Sequence, residues 1–470
     1  MRHLKRFFWI FSTIYLLFTF LPFMATANDE IPISTSDELM ELLKSTYSAE
    51  TLGNTYVLQN DIEIDTSELA ATYSSTSNGA ERAFKGILDG RDHTITILEN
   101  EDGESSKPLF DHISGDLNSR VLAGVKNINL IFEGDVEGTT VASTLSYAEI
   151  SNVDITFEKD IVFAESGNYS IATGVFGFPS NSTPINITDV TVTGYGIIGS
   201  EEAQNSAFVM ASGVYSEWNF AGGEIICDGI EVSADGIYAV SDYDTDNTNI
   251  YSDCCAAGIS SGYSQSNLRL GNSSVNIEND IYAHSSNGAD ADAYGLGYSL
   301  LAMYSCDVTV GGNIEARADS QAYSGSCIGS KPEYTVTAAG MGFDVSTKYN
   351  DDIFDSQTTG ECSIDISGNI SASASSESSS SAGYKAVASG IAVFTSQQSS
   401  WKDVSVEAKN IISDTDGYTS SYAVGFAYQT KHSGNETEDD FDYTDCTVKA
   451  ESISADSNGD GGYAAGFMFW

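Results

Sequence analysis

Val308-Thr309-Val310-Gly311-Gly312-Asn313-Ile314-Glu315-Ala316, followed after a gap by Ala338-Ala339-Gly340-Met341-Gly342-Phe343, is one copy of the pattern that decides this fold. Apolar residues alternate with polar ones, a turn containing Gly or Asn intervenes, Ile-x-Ala resumes the alternation, and an Ala/Gly-rich segment closes the unit. The pattern returns about eight times from Ile128 onward, and a unit that buries only one short side is stable only when stacked on its neighbours. The expected fold is all-β: a right-handed parallel β-helix, a solenoid of short strands.

The repeat is read from three sets of positions. First-strand residues are Ile128, Val153, Val190, Ile230, Val275, Val308, Ile364, Val404 and Val448, at intervals of 25, 37, 40, 45, 33, 56, 40 and 44. The shortest interval fits a bare coil of three short strands, and the longer ones carry loops inserted at corners, which cost little extra closure entropy. A second strand begins at Ile161, Ile197, Ile237, Ile281, Ile314, Ile370, Ile411 and Ile453, and a third at Gly174, Gly213, Gly258, Gly295, Gly340, Gly390, Gly425 and Gly466. A β-propeller is the alternative, since periods near 40 also suit blades. Its blades call for four strands at regular spacing, which these intervals do not supply.

At the N-terminus, Arg2, Lys5 and Arg6 precede the apolar run 7–23, and Ala25-Thr26-Ala27 offers the small residues of a cleavage site. Residues 1–27 read as a secretory signal peptide, so a secreted or cell-surface location is expected. An uncleaved anchor is the alternative, but the run is short for a span, and no comparable run follows. Residues 28–55 read as an N-terminal cap segment. There Thr35-Ser36-Asp37-Glu38 is a capping box opening a short helix with Leu39, Met40, Leu42 and Leu43, suited to cover the open end of the first coil. Residues 56–470 read as the β-helix. It stops within a third strand at Tyr463 to Trp470, so an incomplete last coil, or an end-to-end partner covering it, is expected.

The chain has 67 acidic and 20 basic residues. Removing the signal peptide takes three basic residues and no acidic ones, moving the formal charge from −47 to 17 − 67 = −50. Such a surface repels nucleic acid and anionic membranes, excludes a nucleic-acid partner, and invites divalent cations or basic partners. It does not imply disorder, because 41% of residues are hydrophobic and they are regularly placed. Of the seven cysteines, Cys306, Cys362 and Cys446 open equivalent strands and read as small packing residues in the stack. Cys254-Cys255 lacks the spacing of a redox or zinc motif, and its pairing with Cys227 stays open.

The run Tyr56-Val57-Leu58, Asp61-Ile62-Glu63-Ile64, then Phe84-Lys85-Gly86-Ile87-Leu88-Asp89-Gly90-Arg91-Asp92-His93-Thr94-Ile95, Pro108-Leu109-Phe110-Asp111-His112-Ile113 and Val125-Lys126-Asn127-Ile128-Asn129-Leu130 resembles the opening coils of bacterial cell-surface β-helix proteins of the GLUG-repeat and pectate-lyase-like type. The resemblance covers about residues 50–135; beyond them only the repeat architecture is shared, without the GLUG signature. It implies an entry strand at Tyr56, Leu58, Asp61 and Ile62. A first full coil follows through Phe84, Gly86, Leu88, Asp89, Gly90, His93 and Ile95. His93, beside the Asp89-Gly90 turn, reads as a packing or hydrogen-bonding residue because no nucleophile has a defined relation to it.

Asp242, Asp244, Asp246 and Asp253 stand at positions 1, 3, 5 and 12 of a calcium-like loop. Asn247 replaces its turn glycine and Asp253 its bidentate glutamate, so a solvated acidic loop is the competing reading. The solvated loop is the preferred reading, calcium is the alternative occupant, and no other cofactor is expected. Aspartates are plentiful, but lysine and arginine are scarce and no basic partner for lyase chemistry stands out, so no catalytic residue is assigned. The expected function is a structural or adhesin-like surface protein that binds a glycan or a surface protein. The alternative is a polysaccharide hydrolase or lyase on the same scaffold. Tyr384, Tyr422 and Tyr463 recur before the Ala/Gly segment and read as core or corner fillers before sugar platforms. Asn168, Asn181, Asn186, Asn272, Asn369 and Asn435 match the N-glycosylation pattern and are taken as incidental.

Overall fold

The computed structural model describes residues 30–45, 53–73, 83–166, 169–180, 184–200, 208–217, 224–241, 253–262, 267–286, 290–320, 335–345, 359–376, 385–396, 400–416, 420–431, 442–458 and 461–467. The signal-peptide residues lie outside them. The chain winds as a right-handed parallel β-helix whose strands pair coil to coil. The hairpin Ala164–Ser166 with Tyr169–Thr173 is an antiparallel exception.

From Ala148 to Lys431 each coil carries four strand segments rather than three. The first ladder includes Ala123–Phe132, Ala148–Phe157, Ile185–Ser200 and Glu224–Ser241. Its innermost column runs Leu130, Ile155, Val192, Val232, Val275, Val308, Ile364, Val406, Val448. The first-strand positions read from sequence therefore slip register by two at Val275, Val308, Ile364 and Val448. Their true counterparts beside Ile128, Val153, Val190 and Ile230 are Ser273, Cys306, Cys362 and Cys446, with Val404 in the same column. A strand offers two inward positions two residues apart, and a search for Val or Ile passes over serine and cysteine at the first of them.

The second ladder follows the sequence reading: Ile161, Ile197, Ile237, Ile281, Ile314, Ile370, Ile411 and Ile453 form one stack. All but the last are fully buried, and Ile453 packs on the core from the edge coil. The expected third strand is a corner. An alanine column, Ala172, Ala211, Ala256, Ala293, Ala338, Ala388, Ala423 and Ala464, lines the third ladder. The glycine two residues on turns the chain into a fourth ladder containing Phe176–Pro179 and Tyr215–Glu217. These glycines are needed for space. A Cβ at Gly213 would overlap the carbonyl oxygen of Gly258, one at Gly258 that of Gly295, and one at Gly295 that of Gly340. The same close approach lets Gly258 N–H donate to Tyr294 O and Gly295 N–H to Ala339 O, each at 3.1 Å.

A second kind of bend lies within the first ladder, where Asn127, Asn152, Asp189, Gly229, Asn272, Ser305, Glu361, Asp403 and Asp445 all have φ between 45° and 67°. The short amides bridge coils there. Asn127 Nδ2 donates to Asp89 Oδ1 at 3.0 Å, Asn152 Nδ2 to Asn127 Oδ1 at 3.1 Å, and Asn272 Nδ2 to Asp228 Oδ1 at 2.9 Å. Between the first and second ladders, Asn313 N–H donates to Asp280 Oδ1, Asn369 N–H to Asn313 Oδ1, and Asn410 Nδ2 to Asn369 Oδ1. Asn272 and Asn369 are thus structural residues of the corners.

The cap forms as expected, with an added strand. Glu30–Ile33 pairs in parallel with Thr55–Leu58, and the helix α1 (Ser36–Ser45) buries Leu39, Met40, Leu42 and Leu43 over the end of the core. Glu38 N–H donates to Thr35 Oγ1 at 3.3 Å, while the Glu38 carboxylate accepts from Ser34 N–H at 2.6 Å. The stretch after Asp65 begins with a second helix, α2 (Thr66–Tyr73). Asp65 Oδ1 accepts from Ser67 N–H at its start and Leu69 is buried beneath it. Among the described residues no helix is long and apolar enough to cross a membrane.

Candidate ligand-binding face

Alternation along the second ladder sends isoleucine, alanine and serine inward and every intervening side chain outward. In Ile237-Tyr238-Ala239-Val240, Ile281-Tyr282-Ala283-His284, Ile314-Glu315-Ala316-Arg317 and Ile370-Ser371-Ala372-Ser373, the outward residues fall into two columns. One is Tyr238, Tyr282, Glu315, Ser371; the other is Val240, His284, Arg317, Ser373. Asp319, two residues beyond Arg317, pairs with Ser375. Chemically distinct groups from consecutive coils are held about 4.8 Å apart by the backbone spacing.

Asp319 organises the cluster. Its Oδ2 lies 3.1 Å from His284 Nε2, 2.8 Å from an Arg317 Nη and 3.0 Å from Arg317 Nε, and its Oδ1 accepts from Ser375 Oγ at 3.0 Å. Burial opposes ionisation of Asp319, but the bonds from Arg317, Ser375 and His284 outweigh it and hold the carboxyl below its ordinary range. The same hydrogen bond and charge raise the Arg317 guanidinium. Glu315, half-buried alongside, is pushed up by burial and by the neighbouring Asp280 charge, against the pull of Arg317 and His284. Burial, then Asp280, also raises the Tyr238 hydroxyl. The rings of Tyr282 and His284 lie 6.0 Å apart at 42°. The face therefore offers aromatic area, a buttressed guanidinium and a carboxyl biased toward its neutral form, all on rigid strands.

The outward positions carry no periodic apolar signal, so a reading for the core leaves them out. Aligning the x positions of Ile-x-Ala-x would have collected Tyr282, His284, Glu315 and Arg317, and with them the basic residues that the sequence reading did not find.

The other singled-out residues fall elsewhere. Asp242, Asp244 and Asp246 lie outside the described residues. Asp253 opens the strand Asp253–Ala257, and its Oδ1 accepts from Asp290 N–H at 3.1 Å. Among the described residues no group of three or more His, Cys, Asp or Glu side chains is placed to hold a metal ion. His93 Nδ1 sits 3.2 Å from Asp61 Oδ1, which also accepts from Thr94 N–H, so His93 serves the turn. Cys254 faces the main core and Cys255 a smaller outer cluster, on opposite sides of one strand. Tyr422 packs on that outer cluster and stacks with Tyr463 at 5.2 Å, while Tyr384 lies outside the described residues. A separate cleft of about 610 Å³ between the first and second ladders is lined by Asp365, Glu407, Lys409, Lys449 and Glu451; there Lys449 is paired with Glu407 at 3.0 Å.

No protein-family model, curated protein or solved structure matches this chain. Nothing in the sequence comparisons ties it to the GLUG-repeat or pectate-lyase families, and what stands is the parallel β-helix architecture itself.

Proposed function

We propose that this chain is an exported surface protein that holds an extended, uncharged glycan along the outer face of its second ladder, centred on Tyr282, His284, Glu315, Arg317 and Asp319. The observation that carries this reading is the Asp319 hub, which fixes Arg317 and His284 beside Tyr282 and Glu315 on successive coils. A face whose side chains are already ordered loses little entropy on binding, and tyrosine rings and fixed donors suit sugar rings and hydroxyls. The formal charge of −47 argues against a polyanionic ligand. Export rests on the apolar run and small residues before Asn28.

Glycan-array binding by the full chain tests the reading. Retention of neutral polysaccharides is expected, at least ten-fold weaker for Tyr282→Ala and Arg317→Ala, a loss of about 1.4 kcal/mol. Binding confined to protein ligands, or untouched by both substitutions, would refute it. Glycan cleavage is the second reading, favoured by one observation: Glu315, raised by burial, lies beside charged Asp280 as well as Arg317 and His284. It requires new reducing ends or unsaturated sugars that vanish in Glu315→Gln. We propose binding without cleavage.

A further inference from the structure

We propose that Cys306 and Cys362 are a cross-coil disulfide pair that staples adjacent coils when the chain folds in an oxidising environment. Three observations meet at this pair. The register Tyr304↔Gly360 and Asp307↔Ser363 sets the two residues opposite each other in neighbouring strands of the first ladder. Parallel neighbours lie about 4.8 Å apart, inside the Cα window of about 4.4–6.8 Å that a disulfide needs. Both are thiols here and buried in the solenoid core. No other cysteine is next to another in this column: Cys446 is separated from Cys362 by Val404.

The chain between the two sulfurs is the longest interval of the repeat, 362 − 306 = 56 residues. Closing it removes the most freedom from the unfolded chain, so this is the step of the stack at which a covalent link has most effect. Both sulfurs are buried in the folded core, out of reach of an external oxidant. The bond therefore forms as the two coils come together. A thiolate of one cysteine attacks a small external disulfide such as oxidised glutathione, and the other then displaces the bound glutathione. Two protein thiols are oxidised to one S–S bond, and one external disulfide is reduced to two thiols.

The full chain, refolded with a reduced/oxidised glutathione mixture, is to be digested with a glutamyl endopeptidase without reduction and the peptides weighed. A cross-linked peptide containing Cys306 and Cys362, lighter by about 2 Da than the two thiol peptides together, is expected. It should be absent from Cys306→Ser and Cys362→Ser chains, and dithiothreitol should lower the wild-type melting temperature by about 5 °C. The mapping uses wild-type protein, so it decides the matter even where a serine variant fails to fold. Recovery of both cysteines alkylated from the oxidised sample, or of either joined to Cys327 or another cysteine, overturns the proposal.

Discussion

The coil turns at two corners that solve the same problem in opposite ways. At the glycine corner, Gly174, Gly213, Gly258, Gly295, Gly340, Gly390 and Gly425 succeed one another without exception, because the next coil's backbone carbonyl occupies the place of a Cβ. At the left-handed bend of the first ladder, nine successive coils admit Asn, Asp, Gly, Ser and Glu. There the difficulty is local: a positive φ costs an L-residue about 1–2 kcal/mol but leaves room for a side chain, and a short amide recovers part of the cost by bonding to the neighbouring coil. An obstruction between coils thus fixes one residue type, whereas strain within a coil only biases the choice.

The sharpest way to break this contrast is Gly258→Ala. Its methyl group would meet Gly295 O and the Val275 side chain, and neither can move without parting two coils. A loss of about 4 kcal/mol in urea unfolding, or no soluble folded protein, is expected. A loss below about 1 kcal/mol would show that the corner is held by something other than close approach. The companion change at the bend, Asn152→Ala, leaves φ at 51° and removes the bond to Asn127. Its expected cost is about 1–2 kcal/mol. Asn152→Gly separates the two contributions, since glycine relieves the conformation without restoring the bond, and it should fall between wild type and alanine.

The smallest effect concerns Glu315, on the ladder between the two corners. Its carboxyl is raised in the folded state by burial, so the folded protein binds its proton more tightly than the unfolded chain. Stability is then at its full value below the ordinary glutamate pKa and falls as pH rises through the raised value. Glu315→Gln should abolish that decline: a higher melting temperature than wild type at pH 7.5 and none of this advantage at pH 3.5. An equal difference at both pH values would assign the effect to packing.

Much of the scaffold is legible in the residues alone. The isoleucine stack from Ile161 to Ile453 and the glycine recurrence show through because each position admits nearly one solution, and the Thr35–Glu38 box announces α1 by chemistry specific to helix starts. What escapes has equally physical causes. Ser273, Cys306 and Cys362 occupy an apolar column without looking apolar, so the register slips by two. Helix α2 is short and has no apolar run at helical spacing; Leu69 and Thr66 are its buried side chains among the described residues. The fourth strand of each coil is hidden because the glycine that precedes it reads as part of a strand, not as the bend between two. The face around Asp319 is the least legible part: outward positions are free to vary from coil to coil, and only the register brings His284, Glu315 and Arg317 together.

The inter-coil bonds from asparagine and serine side chains to the aspartate or asparagine side chains of a neighbouring coil share one direction, whereas His284 donates the opposite way, to Asp319. Asn127 donates to Asp89, Asn152 to Asn127, Asn272 to Asp228, Ser375 to Asp319, Asn410 to Asn369, Ser452 to Asn410 and Asn458 to Asp416, in every case from the later coil to the earlier one. An amide both accepts and donates and so relays the sequence onward, whereas an ionised carboxylate only accepts and must terminate it. Aspartate is therefore the natural upstream end of each wire, and part of this chain's acidity is the polarity of its long axis written into composition. Bonds in such a relay polarise one another, so substitutions at Asn127 and Asn152 act on one object.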